Sequence, residues 1–112
     1  MSKNHPASDP ERNVWLQLGF GDAEAHFLKA ELVLRLDRRI KALGLTQQEA
    51  AGRIGATQPE LSKILRGRFS EVSMERLMRF LAALGHRIEI KVGAAKRSRG
   101  DIVVSDARKR AA

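Results

Sequence analysis

Leu45-Thr-Gln-Gln-Glu-Ala-Ala-Gly-Arg-Ile-Gly-Ala-Thr-Gln-Pro-Glu-Leu-Ser-Lys-Ile-Leu-Arg-Gly67 holds two helix starts of the same form, Thr46-x-x-Glu49 and Thr57-x-x-Glu60. In such a capping box the Thr oxygen accepts from the backbone N–H three residues on, and the Glu reaches back to the N–H of the Thr. Two donors left open at the helix start are satisfied together. The boxes stand eleven residues apart, which leaves room for about two helical turns and a corner. Gly55 suits the corner, because a positive φ costs glycine little. Pro59 falls in the first turn of the second helix, where no intrahelical N–H is needed. The spacing predicts a helix-turn-helix.

The apolar positions agree. Ala50, Ala51 and Ile54 line one face of the first helix, and Leu61, Ile64 and Leu65 line one face of the second. Ala51 is small where the two helices would cross, so their axes can come close. The remaining face of the second helix offers Gln58, Ser62, Lys63 and Arg66. One apolar stripe inward and one hydrogen-bonding stripe outward is what a groove-reading helix requires.

Residues 45–67 resemble the DNA-binding unit of the Cro/repressor-type (XRE) helix-turn-helix family, with Gln47 opening the first helix, Ala51 inside it and Gly55 at the turn. The wider run from Asn13 to about Val92 is similar to small antitoxins of the HigA type. That likeness is carried by Leu18-Gly-Phe-Gly-Asp-Ala-Glu24, Lys29-Ala-Glu-Leu32 and Met78-Arg-Phe-Leu-Ala-Ala-Leu-Gly85. The resemblance implies an all-α, repressor-like fold, DNA binding as a dimer, and repression of the protein's own operon. It also implies a partner, a RelE-like toxin that cleaves RNA on the ribosome.

Size and charge bound the alternatives. A chain of 112 residues is expected to be one domain with a single core. It has no cysteine, so disulfides and thiolate metal sites are excluded and a cytoplasmic setting is expected. No apolar run reaches the roughly 18 residues that span a bilayer, and Met1-Ser-Lys-Asn-His-Pro6 has no signal-peptide core. A net charge of +8 and a pI near 10.8 favour a polyanionic partner. Half of that excess, six basic residues against two acidic ones, lies in residues 94–112.

Three segments follow from composition: a loose arm at 1–12, the folded domain at 13–93, and a basic, flexible tail at 94–112. Within the domain five helices are expected. Asn13–Phe20 reads as a single helical turn, although its alternation would also allow a strand, with Trp15 and Phe20 read as core; were an N-terminal arm to cover a toxin, this segment would do it. Asp22 caps a long helix to about Ala42, with Ala25, Leu28, Leu32, Val33, Leu36, Ile40 and Leu43 at helical spacing. Gly44 ends it. The helix-turn-helix supplies the next two, residues 67–72 form a loop, and Ser73 caps a last helix that buries Met74, Leu77, Met78, Leu81 and Leu84. His86-Arg-Ile-Glu-Ile-Lys-Val92 alternates polar and apolar residues, as a half-buried strand does. A lone strand needs a second to fill its ladder. Either the same strand of a second subunit pairs through Ile88, Ile90 and Val92, or Ile102-Val103-Val104 folds back as a hairpin. The dimer is favoured, because two-fold symmetry also suits a two-half-site operator.

The expected site follows from the motif. Thr57, Gln58, Ser62 and Lys63 are candidates to read bases, Gln58 because its amide matches adenine N6 and N7. Gln47, Arg66 and Arg68 are candidates to hold phosphate, helix N-termini being natural anion sites. Glu60 is assigned to its capping box rather than to cytosine N4, and Pro59 removes one possible base contact. Arg35, Arg38, Arg39 and Lys41 read as a solvated face, with Arg38 or Arg39 near phosphate as the less favoured alternative. Catalysis has no support: His5, His26 and His86 fall in unrelated elements, and no nucleophile triad or phosphate loop is present. No metal, cofactor, small-molecule ligand or membrane is expected. Stacking aromatics for an RNA-binding module are missing. The rival readings are a free-standing phage-type repressor without a toxin, and an antitoxin acting mainly through protein binding.

Overall fold

Helix α1 (Asp22–Ala42) is built around one apolar stripe, Leu28, Leu32, Val33, Leu36 and Ile40, all buried. The computed structural model describes residues 21–95, 98 and 100–107. Asp22, expected as the cap of α1, is its first helical residue; Gly21 is the cap. The backbone N–H of Gly21 donates to Glu24 Oε1 at 3.1 Å. Two carboxylates in the first turn, Asp22 and Glu24, suit the positive end of the helix dipole. At the far end Gly44 N–H donates to Lys41 O and Leu45 N–H to Ile40 O, which closes the helix.

Helices α2 (Gln47–Ile54), α3 (Gln58–Leu65) and α4 (Met74–Ala83) follow. The corner between α2 and α3 turns at Gly55, with φ 77°, a conformation that costs a side chain about 1–2 kcal/mol. Ser73 Oγ accepts from Arg76 N–H at 3.0 Å and so starts α4 as expected. Helix α1 packs chiefly on α4, while α2 packs on both α3 and α4. Ala50 and Ala51 are fully buried at the centre, where small side chains let α2 come close. Leu61 and Ile64 of α3 join them, with Leu36, Leu77 and Leu81.

Polar groups close the periphery. The loop after α3 drops Phe69 and Val72 into the core, and Lys29, only 8% exposed, reaches over to donate to Ser70 O at 3.1 Å. His26 stacks on Phe69 with ring centroids 4.6 Å apart. Arg39 Nε donates to Leu84 O at 2.7 Å and satisfies the end of α4. Arg39 is thereby committed to the fold rather than to phosphate. Gly85 has a φ of 102°, which favours glycine there; an added Cβ would stand 2.9 Å from Arg39 Nη2 and displace the end of that side chain. Phe80, not among the expected core residues, is buried on α4.

Two expectations about element count are corrected. Four helices are present among the described residues, and the helical turn expected at 13–20 lies outside them, as does the arm at 1–12. No strand forms among the described residues: 86–95 carry no regular structure, and Ile90 and Val92 are 78% and 92% exposed. The physical reason is that a strand needs a ladder partner, and the within-chain candidate is used elsewhere. Val104 packs against the core instead of folding back as a hairpin. Asp106 Oδ1 accepts from Arg35 Nε at 2.8 Å, and Arg35 also donates to Glu31. The segment 102–106 thus runs along α1.

Because Leu61 is 0% exposed at the meeting of α3 with the rest of the core, Leu61→Ala is expected to lower unfolding free energy by about 2–5 kcal/mol. A shift of the urea midpoint at unchanged slope would confirm a stability effect of this size.

Candidate nucleic-acid interface

The two Thr caps set the geometry. Thr46 Oγ1 accepts from Glu49 N–H at 3.1 Å, and Glu49 Oε1 accepts from Thr46 N–H at 2.9 Å. This box is complete, and the Thr46 backbone N–H is the main reason that the Glu49 carboxyl is held below the usual carboxylate range. Thr57 Oγ1 accepts from Glu60 N–H at 3.2 Å, so the second helix is capped too.

The reciprocal half of the second box is where the sequence reading is corrected. Glu60 gives its carboxylate chiefly to Arg76 of α4, through a bidentate pair of Nη1 with Oε2 and Nη2 with Oε1. The hydrogen bond from Arg76 is the largest influence lowering the Glu60 pKa, and the Thr57 backbone is the smallest. A guanidinium fork matches a carboxylate at two points, whereas the backbone offers one neutral donor. Arg76 in turn lies over the Phe80 ring, 4.9 Å from its centroid. No local pattern announces this pair, since the partners stand sixteen residues apart.

Gln47 and Gln58 each follow a Thr cap and open their helices. Both are exposed, and Gln58 Nε2 donates to Gln47 Oε1 at 3.0 Å. Each amide has two N–H donors and one oxygen with two lone pairs. Gln58 therefore keeps its Oε1 and its second N–H, the donor–acceptor pair that fits adenine. Gln47 keeps its NH2 group, a donor suited to phosphate. The equal spacing of Thr46-Gln47 and Thr57-Gln58 was the available signal for this pairing.

Leu61 and Ile64 define the inward side of α3. With about 3.6 residues per turn, Pro59, Ser62, Lys63 and Arg66 occupy the opposite side, and Gln58 and Glu60 sit on its two flanks. Pro59, Lys63, Arg66 and Arg68 are exposed. Ser62 is half-buried, and its Oγ accepts from Arg66 Nη1 at 2.8 Å. The helix ends abruptly: Gly67 N–H donates to Ile64 O and Arg68 N–H to Lys63 O. That stop brings the Arg68 backbone back to the turn that carries Lys63. None of Lys63, Arg66 and Arg68 takes part in an ion pair among the described residues. Ile88, Ile90 and Val92 follow α4 in the chain and are exposed.

Among the described residues no cluster of three or more His, Cys, Asp or Glu side chains is arranged to hold a metal ion. No helix there is long and apolar enough to cross a membrane.

A short helix braced at its N-terminus, carrying amides and cations outward, on an all-helical frame, is the architecture of a helix-turn-helix domain. A family of that description, helix-turn-helix domain, matches residues 14–93. A solved structure described as an XRE family transcriptional regulator is 34% identical, with the match covering 80% of this chain and 100% of that one at a TM-score of 0.68. The chain belongs to the XRE helix-turn-helix family. No curated protein matches it.

The cap on α3 yields a direct expectation. Thr57→Ala should cost about 1 kcal/mol of stability, while Thr57→Ser should cost little. Thermal melting of the two variants beside the parent checks this, and equal melting points for all three would remove the cap from the account.

Proposed function

We propose that this chain is a sequence-specific DNA-binding repressor that docks α3 in the major groove. The observation that carries the proposal is the outward face of α3: Gln58 held by Gln47, with Lys63 and Arg66 exposed on that face and Arg68 exposed just past its end. In this docking Gln58, Ser62 and Lys63 read bases, with Thr57 close enough at the cap to add a methyl contact. Gln47, Arg66 and Arg68 hold phosphates. Repression then follows from occupancy of the promoter, and no chemistry is needed.

The working unit in this proposal is a homodimer on two half-sites about 34 Å apart. Its support is the run Ile88, Ile90 and Val92, exposed in the single chain and alternating with Arg87, Glu89 and Lys91. A second copy across a two-fold axis would bury these side chains and supply the missing ladder. The biological setting is the autoregulated operon of a toxin and its antitoxin, supported by the likeness of 18–24, 29–32 and 78–85 to HigA-type antitoxins. A neighbouring gene for a small RelE-like nuclease, and co-purification of its product with this chain, test that setting. A free-standing repressor would have neither.

Two substitutions separate base reading from phosphate holding. Gln58→Ala should weaken binding to the upstream promoter duplex and relax its sequence preference by about 1–3 kcal/mol at one base pair. Arg68→Ala should weaken all duplexes alike and reduce the slope of log K against log salt by about 1. Fluorescence anisotropy at several salt concentrations gives both numbers, and variants that bind like the parent would refute this docking. For the dimer, Ile90→Glu should yield a folded monomer by analytical ultracentrifugation, with weaker operator binding; an unchanged dimer would exclude the 86–92 interface.

A further inference from the structure

We propose that Arg76 is a positioning residue for DNA recognition: it draws the Glu60 carboxylate to the α4 side of the recognition helix and cancels its charge there. The inference rests on the DNA-binding reading above and deepens it. Glu60 is the third helical residue of α3, on the flank of the outward face, and its side chain is 32% exposed. A bare carboxylate at that place would face the phosphates lining the groove. Instead the first turn of α3 is held on both flanks, Gln58 by Gln47 of α2 and Glu60 by Arg76 of α4.

The choice of residues argues that the pair serves more than helix stability. Arg76 is the third helical residue of α4, after the Ser73 cap. A cation there sits at the wrong end of the helix dipole, and a Glu in its place would complete a capping box with Ser73. Glu60 for its part gives both carboxylate oxygens to Arg76. Both helices keep their hydroxyl caps but use the third helical residue for a contact between them instead of the reciprocal half of a capping box. Phe80 makes the contact rigid: it is buried in the core, and the Arg76 guanidinium rests on its ring. With two of its nitrogens on Glu60, Arg76 is oriented toward α3 rather than outward to a phosphate.

Charge arithmetic separates this role from the two competing ones. The full-length protein is titrated against a labelled duplex of the promoter upstream of its own gene, with Arg76→Ala, Arg76→Lys, Glu60→Gln and the double variant Glu60→Gln/Arg76→Ala. Unmasking Glu60 in Arg76→Ala should weaken binding about 5- to 10-fold, the size expected for an uncompensated like charge at an interface rim. Glu60→Gln should bind at least as well as the parent, and Arg76→Lys, which keeps the charge, should stay within about threefold. The double variant, with neither charge, should return to within about twofold of the parent even though its melting point is lower.

A folded double variant that binds as weakly as Arg76→Ala overturns the inference, since Arg76 would then touch phosphate or serve only as a brace. Arg76→Ala binding like the parent overturns it as well. If Arg76→Ala proves unfolded by circular dichroism, the double variant and Arg76→Lys decide alone by the same limits. Failure of the parent to bind any duplex at low salt would sink the DNA-binding proposal and this inference with it; parental binding with a weak double variant removes this inference only.

Discussion

An eight-residue helix such as α3 does not hold itself together in water, where isolated helices shorter than about 12–15 residues are marginal. Everything its outward face presents therefore depends on Leu61 and Ile64, which are buried in one core with side chains of α1, α2 and α4. Those two side chains fix the rotation of α3 about its axis, and rotation decides which residues face out. Gln58, Lys63 and Arg66 are exposed as a consequence of what the core takes from the same helix. The caps at Thr46 and Thr57 add the start points, so the axial positions of Gln47 and Gln58 are also set by structure rather than by contact with any ligand.

The second constraint is electrostatic. A net charge of +8 overstates the cationic surface open to a polyanion, because several basic side chains are used inside the fold. Lys29 bridges to the loop carbonyl of Ser70, Arg39 ends α4, and Arg35 ties Glu31 to Asp106. Lys41 and Arg79 pair with acids one turn away, and Arg76 is bound to Glu60. Lys63, Arg66 and Arg68 are different: they cluster at one end of α3 and are exposed. Location, more than total charge, is what makes this surface suited to nucleic acid.

Helix-turn-helix architecture was legible because its signals are local. Capping residues, a corner glycine and apolar spacing all act within one or two turns, and Thr46, Gly55, Thr57, Gly44 and Ser73 take up the places that such signals give them. Asp22 was misplaced by one residue because a glycine followed by acids can start a helix as well as an acid can. The reading of Glu60 as a box partner failed for a different reason. Its competitor, Arg76, lies in another helix, and nothing within four residues of Glu60 reveals it. The strand expected at 86–92 was read from alternation alone, and alternation does not say whether a partner is present.

From the sequence alone came the number and sense of the two motif helices, the corner between them, and the list of outward residues on α3, since each depends on interactions spanning a few residues. Only the tertiary structure decided what those residues touch. Gln58 meets Gln47 because α2 and α3 start side by side, Arg76 reaches Glu60 because packing on α1 and α2 brings α4 beside the first turn of α3, and residues 102–106 lie along α1 rather than beside 86–92. These contacts join residues eleven to seventy-one positions apart. Long-range pairing is set by how helices pack on one core, and no short window of sequence carries that information.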